Sequence, residues 1–304
     1  MRLSYLLVPL TAFVSLLSAD EPPTAVVKAG RPPAIKLGAR PPITGEREAE
    51  IKRWIQMLAE VDGPGYGYSS TMSGSIFSPQ PESAQVGVFL VTDQALKASR
   101  AVLNLVEAGP DAIPFLLEKL DDATPTKYTI EHKGGFGGMW TAAEMDTNPA
   151  DKTESIPPEK LGFESEAHLN TYTVKRGDLC FVILGQITGR AYEAVRYQPT
   201  ACIVINSPVE SKELRDAVRA NWNSPDSRAK LFERLLFDYA TDGIFNGKSL
   251  DGWYVGSHLK IEAARRLAYY FADETSDLLV RRIGMLDLKR VPDSDGAESW
   301  MERE

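Results

Sequence analysis

The chain has 304 residues, 43% of them hydrophobic, and 34 Lys and Arg against 42 Asp and Glu give a formal charge of −8. Such a composition is ordinary for a globular protein and long enough for one large domain or two small ones. A net acidic chain without a basic tail argues against general nucleic-acid binding, which depends on neutralising phosphates, and against docking on anionic lipid.

Residues 2–19 come first in chain order and say most about location. Arg2 is followed by an apolar run from Leu3 to Leu17, with small residues at Ser18 and Ala19 and no further charge before Asp20. This pattern predicts a secretory signal peptide over residues 1–19, and hence a periplasmic or extracellular protein. A retained N-terminal anchor is the rival reading. Ser4, Pro9, Thr11 and Ser15 dilute the run, which falls short of the roughly 20 apolar residues a span needs. No second long apolar run follows, so the mature chain is expected to have no membrane span.

Residues 20–45 carry three Pro-Pro pairs, beginning at Pro22, Pro32 and Pro41. Proline fixes φ and lacks a donor, which predicts a disordered, extended and solvated tether. From residue 46 the pattern becomes helical. Ile51, Trp54, Ile55, Leu58 and Val61 recur at helical spacing, before a Gly-, Ser- and Pro-rich loop over 63–85. A second helix is expected over 92–108, with Thr92 as N-cap and Leu96, Val102, Leu103 and Val106 inward. Gly109 stops it, and Pro110 starts a third helix lined by Ile113, Leu116, Leu117 and Leu120, so the two form a tight helical hairpin.

Residues 124–175 interrupt the helices. KYTIEH (127–132) and NTYTVK (170–175) alternate like paired strands, which predicts a β-hairpin or small sheet around a long insertion. Helix returns at about Gly177 with Leu179, Val182, Ile183 and Ile187 inward, and ends at Gly189. TACIVI (200–205) reads as a short buried strand or an extended connector. Ser207, Pro208 and Glu210 have the order of a helix start, and Ser224–Pro225 repeats it. After a loop over 241–256, two helices carry Ile261, Ala264, Leu267, Ala268 and Phe271, then Leu279, Val280, Ile283 and Leu286. Residues 289–304 form a polar tail. The predicted fold is therefore mainly α, an irregular helical domain over 46–288 with a small β insertion at about 124–175.

LVEAGPDAIPFLLEKLDD (105–122) and KIEAARRLAYYFADETSDLLVRRIGMLD (260–287) each resemble a HEAT-like helical repeat, in which a helix rich in small residues turns sharply into a leucine-rich one. RGDLCFVILGQITGR and VRYQPT resemble segments of uncharacterised exported bacterial proteins with such helices. The resemblance implies stacked helix pairs and no known activity. Two units about 155 residues apart do not make a regular array, so irregular pairs are expected rather than a superhelix.

Motifs for chemistry are sparse. Gly134, Gly135, Gly137 and Gly138 lack both GxGxxG order and GK[ST], so they read as a loop tip rather than a phosphate cradle. His258 and Glu262 are spaced for half a metal site, or equally for an ion pair, and no metal or cofactor is predicted. A His–Asp–Ser triad is a spatial arrangement and stays open to the fold, but no GxSxG elbow appears and no catalytic residue is named. Asp121 and Asp122 are most simply solvated at a helix end. Cys180 and Cys202 could form one disulfide after export or remain two buried thiols. Aromatic and basic residues are the more suggestive set. Arg190, Tyr192, Arg196 and Tyr197, with Trp253, Tyr254 and His258, form the candidate binding surface, since rings and guanidinium groups serve as anchors at interfaces. Arg265, Arg266, Tyr269 and Tyr270 lie on the following helix. The same residue types also fill gaps between helices, and some of these arginines are expected to pair with Asp238, Asp242 or Asp251.

These readings favour an exported, non-catalytic interaction or scaffold module that binds a protein or a cell-envelope polymer. The alternatives are a secreted hydrolase acting on glycan or peptide through loop carboxylates or histidines, and a carbohydrate- or solute-binding protein using the Trp253–Tyr254 region.

Overall fold

The computed structural model describes residues 30–63, 77, 93–131, 138–140, 148, 164–166, 171–197, 203–241, 245–248, 254–257 and 259–285. Among them are eight α-helices and three small sheets, so the protein is mainly helical with minor β structure.

Helix α1 (Gly45–Met57) starts where Thr44 accepts a hydrogen bond from the Arg47 amide, 3.2 Å, and Glu46 and Glu48 suit the positive end of the helix dipole. Its face of Ile51, Trp54 and Ile55 is buried against α2 (Asp93–Ala108), whose Ala101, Val102, Leu105 and Val106 recur at helical spacing. A 3-10 turn at Gly109–Asp111 leads to α3 (Ile113–Glu118). Gly109 has φ +55°, a left-handed conformation open to glycine, and this turn redirects the chain.

Strand β1 (Pro125–Glu131) pairs antiparallel with β4 (Thr171–Lys175), Glu131 opposite Thr171 and Ile130 opposite Tyr172, with a bulge nearer Pro125. This is the pair expected from KYTIEH and NTYTVK. Within the insertion lie β2 (Gly138–Trp140) and β3 (Glu164–Glu166), which join β5 (Val195–Tyr197) and β6 (Ile203–Ile205) in one sheet of order β3-β2-β6-β5. TACIVI is thus partly a buried strand, and β2 runs parallel to it.

The centre of the fold is α4 (Arg176–Thr188). Every residue from Gly177 to Thr188 is buried. An inner stripe was expected; instead α3, α2 and β4 all pack on this helix, which suits a sequence apolar on all sides. Gly189, φ +77°, ends it as a left-handed cap whose amide donates to the Gly185 carbonyl.

The next two starts differ from expectation by a few residues. Ser207 caps a turn, accepting from the Val209 and Glu210 amides, while Ser211 accepts from Leu214 N–H, 3.1 Å, to start α5 (Lys212–Trp222). Asp226, rather than Ser224, caps α6 (Ser227–Ala240) by accepting from Ala229 N–H, 2.9 Å. A carboxylate there also meets the helix dipole. The expected loop over 241–256 contains a hairpin of β7 (Phe245–Lys248) and β8 (Tyr254–Ser257). Helices α7 (Leu259–Tyr270) and α8 (Ala272–Met285) follow, meeting at buried Phe271, and α7 packs on α6.

The Pro-rich segment corrects a further expectation. Residues 30–44 have no helix or strand, as read, yet they do not hang free. Pro33, Ile35 and Leu37 are half-buried while Ala34 and Lys36 are exposed. Ile35 and Leu37 pack against the main core. An extended chain turns alternate residues to one side, so three apolar positions at spacing two meet the body.

Candidate functional site

Arg190 and Tyr192, proposed above for a binding surface, are core residues, 1% and 2% exposed. The Gly189 cap turns the chain so that Arg190 enters the interior beside α6. There its guanidinium holds Asp238 with two contacts, 2.7 and 3.2 Å. The Asn148 amide donates to Asp238, 2.8 Å, and to Thr241, 3.0 Å. Burial of both charges demands this bidentate geometry, since either ion alone would lose its hydration without return. Trp222 lies beside the Arg190 guanidinium, 5.5 Å from carbon to ring centroid, and its indole N–H donates to the Tyr192 hydroxyl, 2.9 Å. Tyr192 in turn stacks on Phe181, centroids 4.5 Å apart. The two residues are brought together around Trp222, as packing rather than as a surface.

For the rest of that proposed set the described backbone gives strand positions only. Arg196 and Tyr197 lie on β5 opposite Val204 and Ile203, and Tyr254 opens β8 opposite Lys248. Trp253 and His258 lie outside the described residues, as does Cys202. Cys180 is a buried free cysteine, its thiol pKa pushed up by burial.

On α7 the basic and aromatic residues separate by face. Arg266 is wholly buried, its Nε donating to the Gln186 carbonyl, 2.7 Å, and its Nη1 to Glu262, 2.6 Å. Tyr270, one turn on, donates to the Val106 carbonyl. Arg265 and Tyr269, on the adjacent stripe, point outward, and Tyr269 packs edge-on against Phe77 and Tyr270. Glu262 is committed to Arg265 and Arg266. No group of three or more His, Cys, Asp or Glu placed to hold a metal occurs among the described residues.

Two carboxylates organise the turn around α4. Asp178 is fully buried and accepts from the Tyr172 hydroxyl, 2.8 Å, the Lys175 amide, 2.9 Å, and the Ser207 hydroxyl. Burial raises its pKa despite those three donors. Asp122 is not simply solvated as expected. Burial pushes its pKa upward, but bonds from Thr124 and Arg176 outweigh this and hold the carboxyl below its ordinary value.

One arrangement grips a stretch of chain by its backbone. Arg228 on α6 and Glu274 on α8 bond to each other, 2.8 Å, with side chains 16% and 12% exposed. Between them they hold Gly38. Arg228 Nη1 donates to the Gly38 carbonyl, 2.7 Å, while the Gly38 amide donates to Glu274 Oε1, 3.2 Å. Arg40 pairs with Asp111 in the turn before α3. The Phe271 ring lies beside the Arg228 guanidinium, 5.4 Å away. A donor and an acceptor set side by side, on a body against whose core Ile35 and Leu37 pack, is chemistry suited to an extended polypeptide. Sequence reading missed this site because the Pro-Pro pairs masked the alternation in PAIKLG, which was its available signal.

No family model, characterised protein or solved structure matches the chain. No helix among the described residues is long and apolar enough to cross a membrane.

Proposed function

We propose that the protein is an exported, non-catalytic interaction module with HEAT-like helical pairs, and that it binds a protein partner or a cell-envelope polymer. The observation that carries this reading is the grip of the helical body on residues 30–44. Arg228, Glu274 and Asp111 come from three separate places in the sequence, and together they hold an arm that has no regular structure of its own. A body that reads main-chain groups in this way is built for contact with extended polypeptide, so a protein partner suits it better than a glycan. Export rests on the leader pattern of residues 1–19.

The test is capture from the native envelope fraction with three full-length forms: wild type, Ile35→Asp with Leu37→Asp, which weakens the arm's own seating, and that variant with Arg228→Glu added. The reading predicts a partner enriched on the arm-weakened form and lost on adding R228E, with the recovered mature chain starting at Asp20. Identical capture by all three forms, or an intact leader on cytosolic protein, contradicts it.

A further inference from the structure

The geometry points to an auto-occupied peptide site: the face formed by Arg228 on α6, Glu274 on α8 and the Asp111 turn recognises an extended segment with apolar residues at alternate positions, then a glycine, then a cation two residues on. Residues 33–40 of this chain fill it in cis, and a partner segment of the same chemistry displaces them. The inference rests on the interaction reading above and names the occupant of the same site.

Three observations carry it. The receptor groups are joined directly, because Arg228 and Glu274 bond to each other across α6 and α8, 2.8 Å, as well as to the arm. The occupant lies on the outside of the body, because no residue from 30 to 44 is fully buried and the segment makes no helix or sheet. The recognition is specific in kind. The Gly38 N–H and C=O are both read, Arg40 meets Asp111, and Ile35 and Leu37 supply the apolar contact. Any extended chain with that order of groups presents the same donors, acceptors and charge. The arm enters α1 directly at Thr44, so its effective concentration is on the order of millimolar, and a competitor in trans meets an occluded site in the wild-type protein.

The experiment uses a synthetic fluorescein-labelled peptide of residues 31–44, titrated by anisotropy into full-length protein. I35D/L37D is expected to bind it about tenfold or more tightly than wild type, because the cis competitor is weakened. Adding R228E is expected to abolish binding, and a peptide N-methylated at Gly38 to bind neither form. Circular dichroism and thermal midpoint confirm that each form is folded. Equal binding by wild type and I35D/L37D, no binding by the folded I35D/L37D form, or binding that survives R228E overturns the site. Loss of fold in I35D/L37D also overturns it, since the arm would then be an integral part of the core. Peptide binding without any difference in envelope capture would leave the site standing and defeat the broader function.

Discussion

At the scale of single residues, Asp178 sets burial against hydrogen bonding. Three donors favour its ionised form, yet full burial outweighs them and its folded pKa is raised. The linkage sign follows. As pH rises past about 3.9, the ordinary carboxylate value, the unfolded chain releases the Asp178 proton while the native protein keeps it. Over that window the native state binds more protons, so the Asp178 contribution to stability falls until pH exceeds the raised folded value, and is flat above it. Urea midpoints of wild type and Asp178→Asn between pH 4 and pH 7 measure this. The wild-type midpoint, taken relative to the variant, is expected to fall with rising pH; a relative midpoint that climbs would mean that the three donors dominate. The Arg190–Asp238 pair illustrates why residue type alone misleads. Arginine and tyrosine suit interfaces, but the same fork and ring satisfy a buried carboxylate and a buried indole equally well. The expected pairing of an arginine with Asp238 was legible; that it removes Arg190 from the surface was not, because burial depends on where the turn after α4 sets Arg190 against α6.

At the scale of elements, the periodic helices were readable because a buried stripe imposes its spacing on the sequence. The hairpin partners β1 and β4 were readable from alternation. What escaped is non-local or short. The parallel pairing of β2 with β6 joins segments more than sixty residues apart, with no turn to announce it. The all-round burial of α4 comes from its neighbours. The α5 start slipped because Ser207 and Ser211 both offer a hydroxyl, and Ser207 is spent on Asp178 and a turn. Gly109 was read correctly as a stop, and the reason is now specific: φ is +55°, and a Cβ there would lie 2.4 Å from the Tyr270 ring. Gly109→Ala is therefore expected to cost roughly 2–4 kcal/mol, combining left-handed strain with overpacking. Gly189→Ala shares the strain, but its nearest contact is Arg266 at 3.4 Å, so about 1 kcal/mol is expected. Urea unfolding of both variants checks the order. Equal costs would show that the Tyr270 ring moves aside freely.

At the scale of the whole molecule, the arm over residues 30–44 links the N-terminal end of the domain to its last helix. Its contacts reach Asp111, Arg228 and Glu274, so they report on closure of the whole body rather than on any one element. Mainly helical architecture was legible from the chain. The site was not, because the residues forming it are spread across sequence and two of them, Arg228 and Glu274, look like ordinary solvated helix charges until the fold sets them side by side. The account depends on that arm being seated. Arg31 and Arg40 each precede proline, so the tryptic bond within the arm is Lys36–Leu37. A protease must take an extended segment into its own cleft, and cleavage under conditions of fast reclosing tracks the population of the released arm. The decisive measurement is the rate of tryptic cleavage at Lys36–Leu37 in the folded full-length protein, followed by mass spectrometry beside the free 31–44 peptide. The arm should be cut about tenfold or more slowly than the peptide, with the protection lost on Arg228→Glu. Cleavage as fast as in the free peptide, or unchanged by R228E, would contradict the seated arm and the interaction site built upon it.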